Sequence, residues 1–166
     1  IILKKTEKKI FDLNEEQFAA LKFLEKTKNK FDVSVLQGTT GSGKTLVYFE
    51  RIKKIIKKNN QALVLLPEIF LTNDFKSRFE DFFGFEPAIW HSKISPKQKR
   101  LIWKGIINNK IKILVGARSA LLLPFKKLGI IVVDEEHDAS YKQDEGVIYN
   151  ARDMAISRAN FERIPV

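Results

Sequence analysis

Apolar residues fall along this chain in two rhythms. Short unbroken runs, such as 62–67 and 128–133, have the length of buried strands, and stretches with apolar residues at helical spacing lie between them. The clearest of these is 44–58, where Val47, Tyr48, Ile52, Ile55 and Ile56 share one face. Asn14-Glu-Glu-Gln17 opens an earlier helix that runs to about residue 28. Asn14 is its N-cap, and Gln17 three residues on completes a capping-box pattern. A β-rich run at 31–36 leads into a glycine-rich loop at 38–43. Further strands are predicted at 62–66, 87–90, 112–115 and 129–133, and helices at 71–83, 96–108 (capped by Ser95) and 151–161. Residues 164–166 read as the start of one more strand. Strands alternating with helices predict an α/β fold, a parallel sheet with helices on both faces.

Composition narrows the class. The 166 residues, 44% hydrophobic and 30% charged, suit one globular domain, and no linker, repeat or low-complexity tract divides them. No apolar run is long enough to span a membrane. A signal peptide is not expected, because Lys4, Lys5, Lys8 and Lys9 crowd the start. The chain opens on Ile1, so the expectation is a piece of a longer protein. Without cysteine it has neither disulfides nor thiolate metal ligands. A net charge of +10 fits a nucleic-acid partner, although a Lys-rich source composition would produce the same excess.

Two motifs carry chemistry. Gly38-Thr39-Thr40-Gly41-Ser42-Gly43-Lys44-Thr45 satisfies G-x-x-x-x-G-K-[ST] between a predicted strand and a helix. Such a loop turns successive N–H groups, together with the positive end of the helix, toward phosphate oxygens. Lys44 would contact the β- and γ-phosphates of ATP, and the Thr45 hydroxyl would bind Mg²⁺. The second motif, Asp134-Glu135-Glu136-His137, directly follows an apolar strand. There Asp134 is assigned to Mg²⁺ and Glu135 to the attacking water. A solvated acidic turn would look the same in isolation; paired with the phosphate loop, the quartet indicates a nucleoside triphosphatase. His137 is assigned a coupling or hydrogen-bonding role, since His91 is the one other histidine.

These segments, with Leu66-Pro-Glu-Ile-Phe-Leu-Thr72 and Val115-Gly-Ala-Arg-Ser-Ala-Leu121, resemble motifs I, Ia, Ib and II of superfamily 2 helicases. The stretch RSALLLPFKKLGIIVVDEEHDASYKQDEGVIYNARD, beginning at Arg118, resembles more closely the bacterial replication-restart helicases. The resemblance implies a RecA-like first helicase lobe at 13–166 behind a leader at 1–12, breaking off just before motif III. It also implies 3′-to-5′ DNA translocation powered by ATP and Mg²⁺. The implied partners are single-stranded and branched DNA at stalled forks, the primosome, single-strand-binding proteins, and a second lobe and zinc module elsewhere in the same chain. Zinc is expected only outside these residues. The implied place of work is the bacterial cytoplasm at the nucleoid, and an isolated lobe is expected to be catalytically incompetent.

By the same resemblance Gln17 recognises adenine, although helix capping alone also accounts for it. Pro67, Glu68, Thr72, His91, Ser92, Gly116, Arg118 and Ser119 would line the single-strand track, with groups suited to phosphate contact and not to base reading. An ordinary surface salt bridge is the alternative for Arg118. The segment after the quartet, with Tyr141, Tyr149, Lys142 and Arg152, is expected to be exposed or poorly ordered. There it would offer rings for base stacking and so couple DNA to hydrolysis; plain packing of the two tyrosines is the alternative. Competing functions are another superfamily 2 ATPase, a small P-loop kinase, and a non-catalytic nucleic-acid-binding module.

Overall fold

A computed structural model describes residues 11–26, 30–39, 42–143 and 149–166 of the chain. In order come α1 (Glu15–Glu25), α2 (Lys44–Lys57), β1 (Gln61–Leu65), α3 (Asn73–Phe83), β2 (Ala88–Trp90), α4 (Pro96–Ile107), β3 (Ile113–Gly116) and β4 (Leu128–Val133). A small antiparallel hairpin, β5 (Lys142–Gln143) with β6 (Tyr149–Asn150), precedes α5 (Ala151–Glu162). Short 3-10 turns at Glu68–Phe70, Arg118–Leu122 and Ala139–Tyr141 escape the periodicity, because each is too brief to show one.

The main sheet is parallel, in the order β2-β3-β1-β4. Along β1 and just past it, Ala62, Val64 and Leu66 face one layer of helices while Leu63 and Leu65 face the other. The first layer is α2 and α3. Phe49 on α2 packs its ring against Phe75, Phe79, Phe82 and Phe83 of α3, with centroids 6.2, 5.6, 5.3 and 5.0 Å away. That aromatic cluster locks the two helices together and so fixes how their N-termini, Lys44 and Asn73, stand over the sheet. The second layer is α4 and α5. Ala151, Ala155 and Ala159 recur every four residues along α5 and are fully buried, so the helix backbone lies close on the strands. The expected α/β architecture with helices on both faces is thus what the chain forms, except that Ile56 is only partly buried.

The strand expected at 31–36 is a correction. It is reduced to a single parallel bridge, Asp32 to Pro165. The physical reason is its partner. The Pro165 carbonyl accepts from Ile131 N–H of β4 (3.1 Å), while Val166 donates to Asp32 O and accepts from Ser34 N–H (both 2.9 Å). Residues 165–166 therefore sit between β4 and the run leading to the phosphate loop. Pro165 also has no N–H to give. No helix among the described residues is long and apolar enough to cross a membrane.

Candidate nucleotide and DNA site

The described residues assigned to chemistry lie at the C-terminal edge of the parallel sheet, where loops and helix N-termini converge. Gly43 caps α2 in the left-handed region (φ 79°), a conformation that favours glycine. A Cβ there would also run into the Gln17 amide. Gln17 holds two positions at once. Its Oε1 accepts from Asn14 N–H (3.0 Å), closing the capping box, and its Nε2 donates to Ser42 O (3.2 Å) in the phosphate loop. Capping and a place at the nucleotide loop are therefore compatible roles. The Lys44 ammonium donates to Gly38 O (2.7 Å) and Thr39 O (3.1 Å), so the loop curls around it. Thr40 and Gly41 lie outside the described residues.

The quartet arrives from β4. Asp134 N–H donates to Leu65 O (3.0 Å), continuing the β1 ladder to the sheet edge. Its Oδ1 accepts from Glu135 N–H (3.0 Å), and its Oδ2 accepts from the Tyr48 hydroxyl (2.8 Å). Glu135 is itself left-handed (φ 50°), which turns the chain sharply after the strand. His137 Nε2 stands 3.6 Å from Glu135 Oε2, and Arg152 pairs with Glu136 (3.0 Å) and Asp153 (3.2 Å). Thr45, Asp134 and Glu135 line one cleft of about 180 Å³ together with Leu66, Thr72 and Arg78. Residues distant in sequence thus meet as the motifs require.

The donor set suits Mg²⁺. Among the described residues no cluster of three or more His, Asp or Glu forms an all-protein cage. One carboxylate and one hydroxyl, leaving positions for phosphate oxygens and water, is how a protein ordinarily holds this small, reluctantly dehydrated ion.

Residues expected to face DNA cluster on the neighbouring strand ends. Glu68 accepts from Ser92 N–H (3.2 Å) and Ser92 Oγ (3.0 Å). Burial works against the Glu68 carboxylate, but these two bonds, with His91 and Lys93 nearby, outweigh it and hold its pKa below the usual range. Thr72 caps α3 through Phe75 N–H (3.2 Å), following Pro67 and the 3-10 turn. His91 Nδ1 accepts from Lys93 N–H (3.2 Å). Ser119 accepts from Trp90 Nε1 (3.1 Å), and at Gly116 a Cβ would stand 2.8 Å from Trp90 O. Arg118 donates to the Lys142 carbonyl (2.7 Å).

Tyr141 corrects the sequence reading. Its ring is 1% exposed, and its hydroxyl donates to Asp134 O (2.6 Å). A buried ring cannot stack a base, and the expected exposure of this segment fails at that residue. The cause is amphipathicity: the ring completes the core beside Leu65 and Ile131, and the hydroxyl finds a backbone acceptor. Burial, with Asp134, Asp138 and Glu135 close by, pushes its pKa up. The side chain of Tyr149 and residues 144–148 lie outside the described residues. Sequence reasoning also missed Tyr48 as a partner of Asp134, assigning it to the core. The available signal was a polar tip on an apolar helix face one turn after Thr45. Arg78 and Asp74, paired at 3.1 Å on α3, were missed at the cleft as well.

Known proteins resemble this chain in sequence and in fold. Replication restart protein PriA of Rickettsia felis is 48% identical over 93% of this chain, and that of Bacillus subtilis is 42% identical over 99%. The chain spans only 24% and 20% of their lengths. Among solved structures, RecG bound to a three-way DNA junction matches 86% of this chain and 20% of its own, with TM-score 0.64 and 22% identity. T4 UvsW matches 98% and 32%, with TM-score 0.64 and 18% identity. At such identities the likeness speaks for the fold alone, that of a RecA-like lobe. The DEAD/DEAH box helicase family model matches residues 14–163, a span that holds both the phosphate loop and the acidic quartet, and the chain belongs to that family.

Proposed function

We propose that residues 13–166 form the first, ATP-binding lobe of a 3′-to-5′ DNA translocase that serves replication restart, with 1–12 as a leader. The observation that carries this reading is the meeting of Thr45, Asp134 and Glu135 in one cleft, with Lys44 next to Thr45 at the start of α2 and Thr72, Ser92 and Ser119 after the neighbouring strands. The similarity to PriA adds the restart context.

In this reading the phosphate loop and Lys44 bind the triphosphate, and Gln17 lies against that loop to meet the base. Thr45 and Asp134 hold Mg²⁺, which when bound screens the charge on the phosphates. Glu135 orients water at the γ-phosphate, with His137 beside it. Single-stranded or branched DNA crosses Pro67, Glu68, Thr72, His91, Ser92, Gly116, Arg118 and Ser119 through backbone-phosphate contacts without base reading. Coupling runs through covalently adjacent residues: Arg118 holds Lys142 O, and Tyr141 holds Asp134 O. A phosphate that draws Arg118 away would shift the strut under the acidic pair. Arg152, bound to Glu136, ties the same segment to the quartet.

The relatives are much longer, and we assign the remaining catalytic cation, the zinc module and contacts with primosome and single-strand-binding proteins to those further regions. The chain alone should therefore turn ATP over near background. Its place of work is the bacterial cytoplasm at the nucleoid. The test is Mg-ATP binding by the chain and by Lys44→Ala, which should bind at least several-fold more weakly; matching titration curves would refute the assignment.

A further inference from the structure

Asp134 is held from three sides. Glu135 N–H takes Oδ1, Tyr141 takes its carbonyl, and the Tyr48 hydroxyl takes Oδ2 at 2.8 Å. Of these only Tyr48 comes from α2, the helix that also carries Lys44 and Thr45. Thr45, three residues before Tyr48 on that helix, lines one cleft with Asp134. One phenol on the helix that carries Thr45 therefore reaches the other side chain assigned to Mg²⁺. Its ring is 6% exposed and packs edge-on against Phe49 with centroids 5.1 Å apart, so it has no room to swing.

A carboxylate offers about four lone-pair directions. Two on Asp134 are taken by Glu135 N–H and Tyr48, which fixes the plane of the group and leaves the others directed elsewhere. Rotation of that carboxylate breaks both bonds, and of the two only the Tyr48 bond ties it to α2. Phenylalanine at 48 would fill the core equally well but leave Oδ2 without its donor from α2.

We propose that Tyr48 is a positioning residue that sets the Asp134 carboxylate relative to Thr45 and so tunes how tightly the nucleotide site takes up Mg²⁺. This rests on the reading of the cleft as a Mg-nucleotide site. Tyr48 touches neither nucleotide nor metal in this role; it acts through Asp134.

The experiment titrates Mg²⁺ into the chain saturated with N-methylanthraniloyl-ADP and reads the fluorescence of the bound nucleotide. Wild type, Tyr48→Phe, Asp134→Asn and the double variant are compared, and thermal melting is followed in parallel. Tyr48→Phe should raise the Mg²⁺ half-saturation about three- to tenfold, the equilibrium effect of one hydrogen bond. Nucleotide affinity in EDTA should stay at the wild-type value. In the Asp134→Asn background the same change should add almost nothing, since the two act as one unit. An unshifted Mg²⁺ curve in Tyr48→Phe overturns the proposal. A parallel loss of Mg-free affinity and melting temperature also overturns it, because that is the mark of a packing role. Wild type that binds no Mg-nucleotide would instead overturn the site reading itself, and this inference with it.

Discussion

Gln61 offers a test that separates the fold from the site. It is fully buried at the start of β1, at the opposite end of the strand from the nucleotide loop. Its amide joins three segments: Nε2 donates to Ile106 O (3.0 Å) and Ile111 O (2.8 Å), and Oε1 accepts from Lys127 N–H (2.9 Å). Gln61→Leu keeps much of the volume and removes all three bonds. Ile106 O keeps Asn109 N–H at 3.1 Å, so its loss is minor, while Ile111 O and Lys127 N–H lose a buried partner. Stranding a buried polar group costs about 1–3 kcal/mol. The leucine returns about 2 kcal/mol of apolar burial. The net expectation is a loss of about 2 kcal/mol, which for a chain this long is about 4–8 °C in melting temperature. Circular dichroism melts and urea titrations measure it, and Mg-nucleotide affinity below the transition should equal wild type's. A melting temperature indistinguishable from wild type's would refute the reasoning. So would a loss of nucleotide affinity in folded protein.

Gly43→Ala places a Cβ at φ 79° and into the Gln17 amide, so nucleotide titration should show several-fold weaker binding together with a lower melting temperature; unchanged affinity would free Gln17 from the site. Arg118→Ala should weaken single-stranded oligonucleotide binding equally for every sequence and lower the log–log salt slope by about 0.7, the share of one phosphate contact. A sequence-dependent loss would indicate base reading instead. Burial, with Asp134 nearby, raises the pKa of both Tyr48 and Tyr141 above the ordinary 10.0. The folded state therefore holds these protons more tightly than the unfolded chain. The stability they contribute is full below about pH 10 and is lost as pH climbs beyond it. Phenolate absorbance followed against pH should show both tyrosines ionising only as the chain unfolds, and early ionisation of either would contradict its burial.

Much of this was legible in the residues themselves. The capping box at Asn14, the Ser95 cap, the helix after Lys44 and the apolar strands are local signals, set by side-chain period and by hydrogen bonds three residues apart. The phosphate loop and acidic quartet were readable because backbone curl and charge placement demand particular residue types at fixed spacing. What the sequence could not decide is anything that depends on a distant partner. Residues 31–36 look like a strand, yet the folded chain pairs them through a single bridge, Asp32 to Pro165, a residue with no N–H to extend it. Tyr141 looks like an exposed stacking ring beside Lys142, and only the packing of its segment under β4 shows it inside the core with its hydroxyl on Asp134. Tyr48 reads as core from its period, and the same burial that makes this true obliges its hydroxyl to find an acceptor far along the chain. Period and spacing are properties of neighbours in sequence, whereas burial and hydrogen-bond satisfaction are settled by neighbours in space, and those the folded sheet alone brings together.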